Sequence, residues 1–203
     1  MTNWLPERCH VVLPGLPQGG NVVVCVRGEL GVRPTSLNLG CYAEAKRVIS
    51  GLNRSLSIGE RANATALVNE GAVLRGQTLN LARFAGATAS LAVDGVGSQL
   101  VLGNGFSNIG SQGGRGTLEL TDGALLQGDS TLLGVGSGQP GDFSVLRASG
   151  TRTGTRLADV VVRASTGGLV QLRDGVSWLD GFNGLEVNGG QAELENMHAR
   201  LRL

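Results

Sequence analysis

Hydrophobic residues alternate with polar ones in short runs along this chain, and a glycine follows most of the runs. Residues 114–134 read G-R-G-T-L-E-L-T-D-G-A-L-L-Q-G-D-S-T-L-L-G, in which Leu118 and Leu120 alternate with polar residues before an Asp-Gly pair. Two shorter apolar runs follow, at 124–126 and at 132–133. A period of two predicts half-buried strands, and Asp-Gly predicts a tight turn. The stretch therefore predicts three short strands joined by turns.

The same pattern returns along the chain at nearly constant intervals. A strand-like run ends in a glycine at Gly71, Gly95, Gly123, Gly150 and Gly175, with spacings of 24, 28, 27 and 25 residues. A second, weaker series interleaves with the first at Gly40, Gly59, Ala82, Gly103, Gly134 and Gly189. Such a repeat is typical of a parallel β-helix, in which each coil buries its apolar face against its neighbours. We therefore predict an all-β fold, a single-stranded parallel β-helix (solenoid) of about seven coils of roughly 20–28 residues.

A β-sandwich or jelly roll is the competing fold, because turn signals every 8 to 12 residues also describe it. A sandwich core, however, gives no reason for one residue pattern to recur about every 25 positions. Composition agrees with the solenoid. Glycine accounts for 34 of 203 residues and suits the corners where the chain bends tightly. Aromatic residues make up only 3% of the chain, so the predicted core consists of stacked aliphatic side chains.

Three segments are predicted. Residues 1–20 form an irregular cap, residues 21–63 form the first, irregular coils, and residues 64–203 form the regular repeats. Within the second segment, residues 41–50 read C-Y-A-E-A-K-R-V-I-S and predict a short helix, because alanine, glutamate, lysine and arginine favour helices. This helix could equally cover the open end of the solenoid.

Other stretches predict loops and an interrupted end. The glycine-rich segments 103–116 and 134–142 predict insertions that project from the side of the solenoid. The final residues 192–203 alternate like a strand and stop without a glycine turn, so we expect the chain to be a fragment cut off in or just after a coil. Residues 1–20 contain no apolar run of signal length, and no segment has 18 consecutive apolar residues, so neither an export signal nor a membrane-spanning helix is predicted.

The charge of the chain excludes one class of partner. Seventeen lysines and arginines against sixteen acids give a net charge of +1. Binding to nucleic acid requires a basic face with interleaved aromatic residues, and neither is present, so no nucleic-acid partner is predicted. A local arginine excess occurs between Asp142 and Asp174, where an acidic glycan could bind, although a solvated face is the default interpretation. Its arginines are Arg147, Arg152, Arg156, Arg163 and Arg173.

The cysteines and histidines do not form a site pattern. Cys9, Cys25 and Cys41 are spaced by 16 residues and form no C-x-x-C motif. We interpret them as free thiols near the cap, with a Cys9–Cys25 bridge as the alternative. His10 and His198 lie near opposite ends of the chain, so they are expected to be solvated and not to share a site.

One set of carboxylates suggests an enzyme. Many β-helices act on polysaccharides with acidic residues on one face. The acids that precede turn glycines are Glu70, Asp94, Asp122 and Asp174. If these turns are equivalent, Asp94 and Asp122 lie about 5 Å apart, as in a retaining glycosidase. Aspartate before glycine is also an ordinary turn residue, and we prefer that interpretation. Trp178 and Phe182 are interpreted as core or corner residues, with an exposed contact patch as the alternative.

The repeats resemble a known family. The stretches G-T-L-E-L-T-D-G-A at 116–124, L-V-L-G-N-G at 100–105 and S-L-A-V-D-G at 90–95 are similar to repeats in bacterial autotransporter passenger regions and in related surface proteins with a PEP-type sorting signal. The starts of such regions are similar to Asn3 to Pro6, Gly15 to Val24 and Ser36 to Gly40. The resemblance implies a right-handed β-helix that is secreted or exposed on the outer-membrane surface and acts in adhesion, aggregation or as a stalk.

The functional expectation follows from this resemblance and from the weakness of every catalytic motif. We expect a non-catalytic surface-structural or adhesive segment, whose partners are surface glycans or further copies of the chain. A polysaccharide-acting glycosidase or lyase is the main alternative, and a phage tail-spike-like module is the second. The sequence nominates no catalytic, cofactor-binding or metal-binding residue and implies no cofactor.

Overall fold

Strands make up the secondary structure wherever the chain is described. The computed structural model describes residues 11–12, 36–39, 42–45, 49–61, 63–136, 138–139, 143–150, 154–180 and 183–199. No helix occurs in these residues, and so none that could cross a membrane. The strands are β1 (Val11–Val12), β2 (Ser36–Leu39), β3 (Tyr42–Ala45), β4 (Ile49–Ile58), β5 (Ala64–Val68), β6 (Val73–Leu81), β7 (Thr88–Asp94), β8 (Gln99–Leu102), β9 (Phe106–Ile109), β10 (Arg115–Thr121), β11 (Leu125–Val135), β12 (Ser144–Ser149), β13 (Arg156–Ser165), β14 (Gly168–Arg173), β15 (Ser177–Asp180), β16 (Gly184–Asn188), β17 (Gln191–Leu194) and β18 (His198–Ala199).

The first side of the solenoid is a seven-stranded parallel sheet, which we call face 1. Its spatial order is β17-β14-β12-β10-β7-β5-β3, so each strand pairs with the strands one coil before and one coil after it. The register is unbroken between β7 and β10, where Arg115 pairs with Thr88 and Thr121 pairs with Asp94. Equivalent positions of successive coils therefore stand directly beside one another.

An eleven-stranded sheet supplies the other two sides. Its long strands change register part of the way along, for example between Gln127 and Thr131 of β11. The first parts of β4, β6, β11 and β13 pair with β8 and β15, and we call this stack face 2. The second parts pair with β2, β9 and β16, and we call this stack face 3. Apart from the antiparallel pair β1–β2, the strand pairs are parallel. The predicted all-β solenoid is confirmed, while its hand and its number of coils stay predictions.

The core consists of columns of inward side chains that run from coil to coil. On face 2 the column is Leu74, Leu100, Leu126, Leu157 and Trp178, each no more than 2% exposed. On face 1 the matching column is Ala66, Leu91, Leu118, Leu146 and Val170. A buried leucine contributes about 1.5–3 kcal/mol, so each coil is held mainly by its contact with the next.

Small residues fill the corner between face 3 and face 1. Ala64, Ala89, Gly116, Ser144 and Gly168 occupy equivalent positions at the start of successive face 1 strands. A Cβ on Gly168 would lie 2.1 Å from the carbonyl oxygen of Val135, which is backbone and cannot move aside. The close approach of these two chain segments therefore requires a residue without a side chain.

Two local predictions are wrong. Residues 41–50 were expected to form a short helix, but their described part forms β3 and the start of β4. Helix propensity is a weak preference, and here parallel pairing of β3 with β5 overrides it. The predicted projecting loop 103–116 contains β9 and the first residues of β10. Its glycines bend the chain at the two ends of β9, so β9 itself belongs to face 3.

The two glycine series differ in how well they follow the coils. Gly71, Gly123 and Gly175 occupy the turn between face 1 and face 2, and all have positive φ. In the second series, Gly103 follows β8 on face 2, whereas Gly134 lies inside β11 opposite Asn108. The second series therefore combines different positions of the coil.

Candidate functional site

The acids that precede turn glycines do not form one ladder. Glu70, Asp122 and Asp174 have φ values of 52°, 49° and 56°, so they occupy the first left-handed position of a tight turn. Asp94 instead ends β7 and pairs in register with Thr121, not with Asp122. The prediction that Asp94 and Asp122 occupy equivalent positions is therefore wrong. One-residue differences in turn length are invisible when glycines alone are aligned.

Asp94 also has a partner that explains its presence. The hydroxyl of Thr121 donates a hydrogen bond to Oδ1 of Asp94 in the neighbouring coil. Aspartate is common at turns because its carboxylate accepts such hydrogen bonds. Asp94 thus helps to join two coils at the end of face 1.

The arginine-rich stretch is distributed over all three faces. Arg147 and Arg173 lie outward on face 1, Arg163 lies on face 3, and Arg156 begins β13 on face 2. Arg163 pairs with Glu186 at 2.6 Å. Arg152 and Asp142 lie outside the described residues. The local excess of positive charge along the sequence therefore does not collect into one basic surface.

Face 1 carries the most extended polar arrangement of the described surface, which we call the face 1 ladder. Its members are Glu119, Arg147, Gln171, Arg173, Glu193 and Glu195. Arg147 lies 3.8 Å from Glu119 on one side and donates from Nε to Oε1 of Gln171, 3.0 Å away, on the other. Gln171 in turn donates from Nε2 to Glu193 over 2.7 Å. The ladder therefore crosses four successive coils through side chains at equivalent positions.

At the end of the ladder formed by Glu193 and Glu195, one arginine contacts both carboxylates and one glutamine amide contacts Glu193. Arg173 pairs with Glu193 and lies 3.9 Å from Glu195. The hydrogen bond from Gln171, followed by that from Arg173, lowers the pKa of Glu193. The charged side chains are 41–62% exposed along the ladder, and ion pairs this exposed to water and salt stabilise a fold only weakly. The ladder is therefore a hydrated surface that repeats from coil to coil.

The remaining sequence candidates are separated from one another. Trp178 is 0% exposed and belongs to the face 2 core column, as predicted, whereas Phe182 lies outside the described residues. His198 is exposed at the start of β18, opposite Ser177. Cys9, Cys25, Cys41 and His10 lie outside the described residues, so their predicted states are untested. The part of the chain that is described holds no cluster of three or more histidine, cysteine, aspartate or glutamate side chains suited to a metal ion.

An exposed aromatic ring on face 3 was missed by the sequence analysis. Phe106 is 49% exposed, and its Cζ lies 3.0 Å from the point that a Cβ on Gly134 would occupy. The ring thus fills the gap left by that glycine. Phe106 points outward because Ser107 takes the inward position, where it is fully buried and accepts a hydrogen bond from the N–H of Leu79 over 3.0 Å. This reversal of the usual pattern, serine inside and phenylalanine outside, hides the strand from a hydrophobicity search.

Comparison with known proteins gives no relative: no known protein family, no curated protein and no solved structure matches the chain.

Proposed function

We propose that this chain is a non-catalytic surface-structural or adhesive β-helix segment of a secreted, autotransporter-like bacterial protein. The observation that carries the proposal is the face 1 ladder, which presents hydrated side chains at equivalent positions of four successive coils. A surface of this kind offers many weak contacts along one line. That arrangement suits attachment to an extended polymer or to another solenoid better than it suits turnover of one bound molecule.

The polysaccharide-acting alternative has less support. A retaining glycosidase needs two carboxylates about 5 Å apart, of which one acts as acid and the other as nucleophile. Here Asp94 accepts a hydrogen bond from Thr121, and Asp122 sits in a turn with a φ of 49°. Side chains with these structural roles are less suited to the paired carboxylate chemistry.

Display of the chain on a non-adherent bacterial host tests the proposal. Cells that carry the wild-type chain are expected to settle faster, or to bind glycan-coated wells, relative to cells that carry only the anchor. The matched variant replaces Arg147 and Arg173 with glutamate, which reverses charge in the ladder while both side chains stay exposed. The proposal predicts a loss of adherence in this variant without a loss of displayed protein.

A cleavage screen on the same protein tests the alternative that the chain is a polysaccharide-acting enzyme. Purified chain is incubated with polygalacturonate, alginate and hyaluronate, and reducing ends and unsaturated products are measured. We expect no product. Cleavage that disappears in both Asp94→Asn and Asp122→Asn would overturn the proposal in favour of an enzyme.

A further inference from the structure

A pocket lies at the corner where face 3 turns into face 1. Its walls are Ala85, Gly86, Ala87, Thr88, Gly113 and Arg115, and its volume is about 280 Å³. We call it the corner pocket. Its walls come from two successive coils, because residues 85–88 lead into β7 and Gly113 and Arg115 lead into β10.

Two stacked turns hold the pocket open. The first is closed by a hydrogen bond from the N–H of Ala87 to the carbonyl of Phe84 over 3.0 Å, with Gly86 at a φ of 81°. The second is closed by the N–H of Gly114 and the carbonyl of Ser111, also at 3.0 Å. An antiparallel bridge between Phe84 and Gly113 joins the two turns. Nothing lies within 4 Å of the point where a Cβ on Gly86 would sit, so this wall faces open space.

The surroundings of the pocket are rich in arginine. Arg115 is exposed, and among the described residues it makes no ion pair. Arg61 and Arg83 lie over the ring of Phe84, with guanidinium carbons 4.5 and 4.9 Å from its centre. Arg83 pairs with Glu60 at 3.4 Å. Phe84 bridges to Gly113 in the pocket wall, so these arginines add positive charge on the same side of the solenoid as Arg115, and positive charge attracts anions.

An exposed aromatic side chain stands on the next coil. Phe143 is 54% exposed and immediately precedes Ser144, whose hydroxyl accepts a hydrogen bond from the N–H of Gly116 over 3.1 Å. Arg115 immediately precedes Gly116. Thr117 pairs with Val145, and continuing this parallel register back by two residues places Phe143 beside Arg115, just before β12 begins.

We propose that the corner pocket binds an acidic saccharide through its anionic group, a carboxylate or a sulfate. The Arg115 guanidinium binds the anion, because its planar fork matches two oxygens at once. Phe143 lies outside the pocket walls, on the other side of Arg115, and provides an apolar surface for a sugar ring next to the one in the pocket. A volume of about 280 Å³ lies just below the usual range of about 300–1,000 Å³ for small-molecule pockets, so one sugar unit fits rather than a long chain. This assignment rests on the proposed adhesive function and names one of its ligands.

Calorimetric titration of the intact chain tests the assignment with three defined probes. Trigalacturonate carries carboxylates, a sulfated chondroitin disaccharide carries a sulfate, and maltotriose is neutral. We expect saturable binding of at least one acidic probe and no comparable binding of maltotriose. The probe that binds more tightly identifies which anion the pocket prefers.

Two substitutions locate the binding site. Arg115→Ala is expected to weaken binding of the acidic probe at least about tenfold, since a charge-assisted hydrogen bond is lost. Arg156→Ala is the matched control, because Arg156 is also an exposed arginine at the first position of a strand but lies on face 2. Ala85→Tyr fills the pocket without changing its charge and is also expected to weaken binding. Thermal unfolding midpoints equal to that of the wild-type chain show that the variants are folded.

Equal affinities of Arg115→Ala and Arg156→Ala for the acidic probe, or equal binding of maltotriose, would overturn the assignment. The same holds if no acidic probe binds to the folded chain. If displayed cells still adhere in that last case, only the pocket assignment fails and the adhesive function stands. If acidic probes bind as expected but displayed cells neither adhere nor aggregate, the pocket stands and the adhesive function fails.

Discussion

The hydroxyl of Ser98 accepts a hydrogen bond from the backbone N–H of Gly71, one coil away, over 3.1 Å. Ser98 is fully buried at the inner side of the corner between face 1 and face 2. Thr155 repeats the arrangement by accepting from the N–H of Gly123 over 3.1 Å and donating to the carbonyl of Ser149 over 2.7 Å. At these two turns the inward hydroxyl is the partner of the glycine N–H, whereas the N–H groups of Gly95 and Gly175 bind backbone carbonyls of the next coil.

Replacement of Ser98 tests the importance of this contact. Ser98→Ala is expected to lower the free energy of unfolding by about 1–2 kcal/mol, because the N–H of Gly71 loses its partner in a partly buried position. Urea unfolding followed by circular dichroism measures the change. Ser90→Ala is the control, since Ser90 donates to Thr65 on the exposed side of face 1. A change within about 0.5 kcal/mol is expected there, and equal losses in the two variants would contradict the prediction.

Trp178 ends a column of leucines, and its substitution tests how far the core extends. Trp178→Ala is expected to cost about 3–5 kcal/mol, because a large fully buried side chain leaves a cavity. Trp178→Leu continues the pattern set by Leu157 and is expected to cost less. Val96→Ala, at a side chain that is 69% exposed, serves as the control. Differential scanning calorimetry gives the three midpoints. A smaller loss for Trp178→Ala than for Trp178→Leu is the contrary result.

The fold could be predicted because its repeat depends on residues that few other residue types can replace. Tight left-handed turns favour glycine, so Gly71, Gly123 and Gly175 mark one corner of the coil directly. At the corner between face 3 and face 1, Gly59, Gly110 and Gly136 also have positive φ, but Ala82 takes the equivalent position in one coil. The start of each face 1 strand needs only a small residue, and alanine, serine or glycine can meet that need, so glycine marks this corner less regularly. The predicted helix at residues 41–50 was wrong because pairing between coils is non-local and outweighs local propensity.

The surface chemistry was much harder to predict. The arginines between Asp142 and Asp174 are close together in the sequence, but the fold places them on three different faces. In the corner pocket, by contrast, residues that are distant in sequence come together. Ala85 and Arg115 are 30 residues apart but line one cavity. Parallel stacking places residues about one coil length apart beside each other. Only the exact length of each turn determines which residues those are.

Gly168 tests the close packing at the corner between face 3 and face 1. Gly168→Ala is expected to cost about 1–3 kcal/mol or more, because its Cβ would lie 2.1 Å from the carbonyl oxygen of Val135. The matched control is Gly103→Ala. A Cβ at Gly103 would meet the end of the Gln77 side chain, which can rotate away. Chemical denaturation of both variants gives the comparison, and a Gly103→Ala loss as large as that of Gly168→Ala would show that the backbone contact does not control the corner.

The titration of Glu193 tests whether the face 1 ladder persists in solution. Its pKa is lowered first by the hydrogen bond from Gln171 and then by that from Arg173. Because the folded-state pKa is lowered, ionised Glu193 adds stability above the ordinary glutamate pKa. That contribution is lost as the pH falls through the lowered value. A carbon-13 NMR titration of the side-chain carboxyl is expected to give a midpoint below that of glutamate in an unfolded peptide.

The variant Gln171→Ala removes the largest cause and is expected to raise the pKa of Glu193 toward its ordinary value. Arg163→Ala is the control, because Arg163 pairs with Glu186 on face 3 and does not contact Glu193. Salt separates the two contributions. At about 1 M the Debye length falls to about 3 Å and the attraction of Arg173 is screened, whereas the amide hydrogen bond remains. A Glu193 midpoint that rises fully to the ordinary value in high salt would assign the shift to charge alone and contradict the ordered ladder.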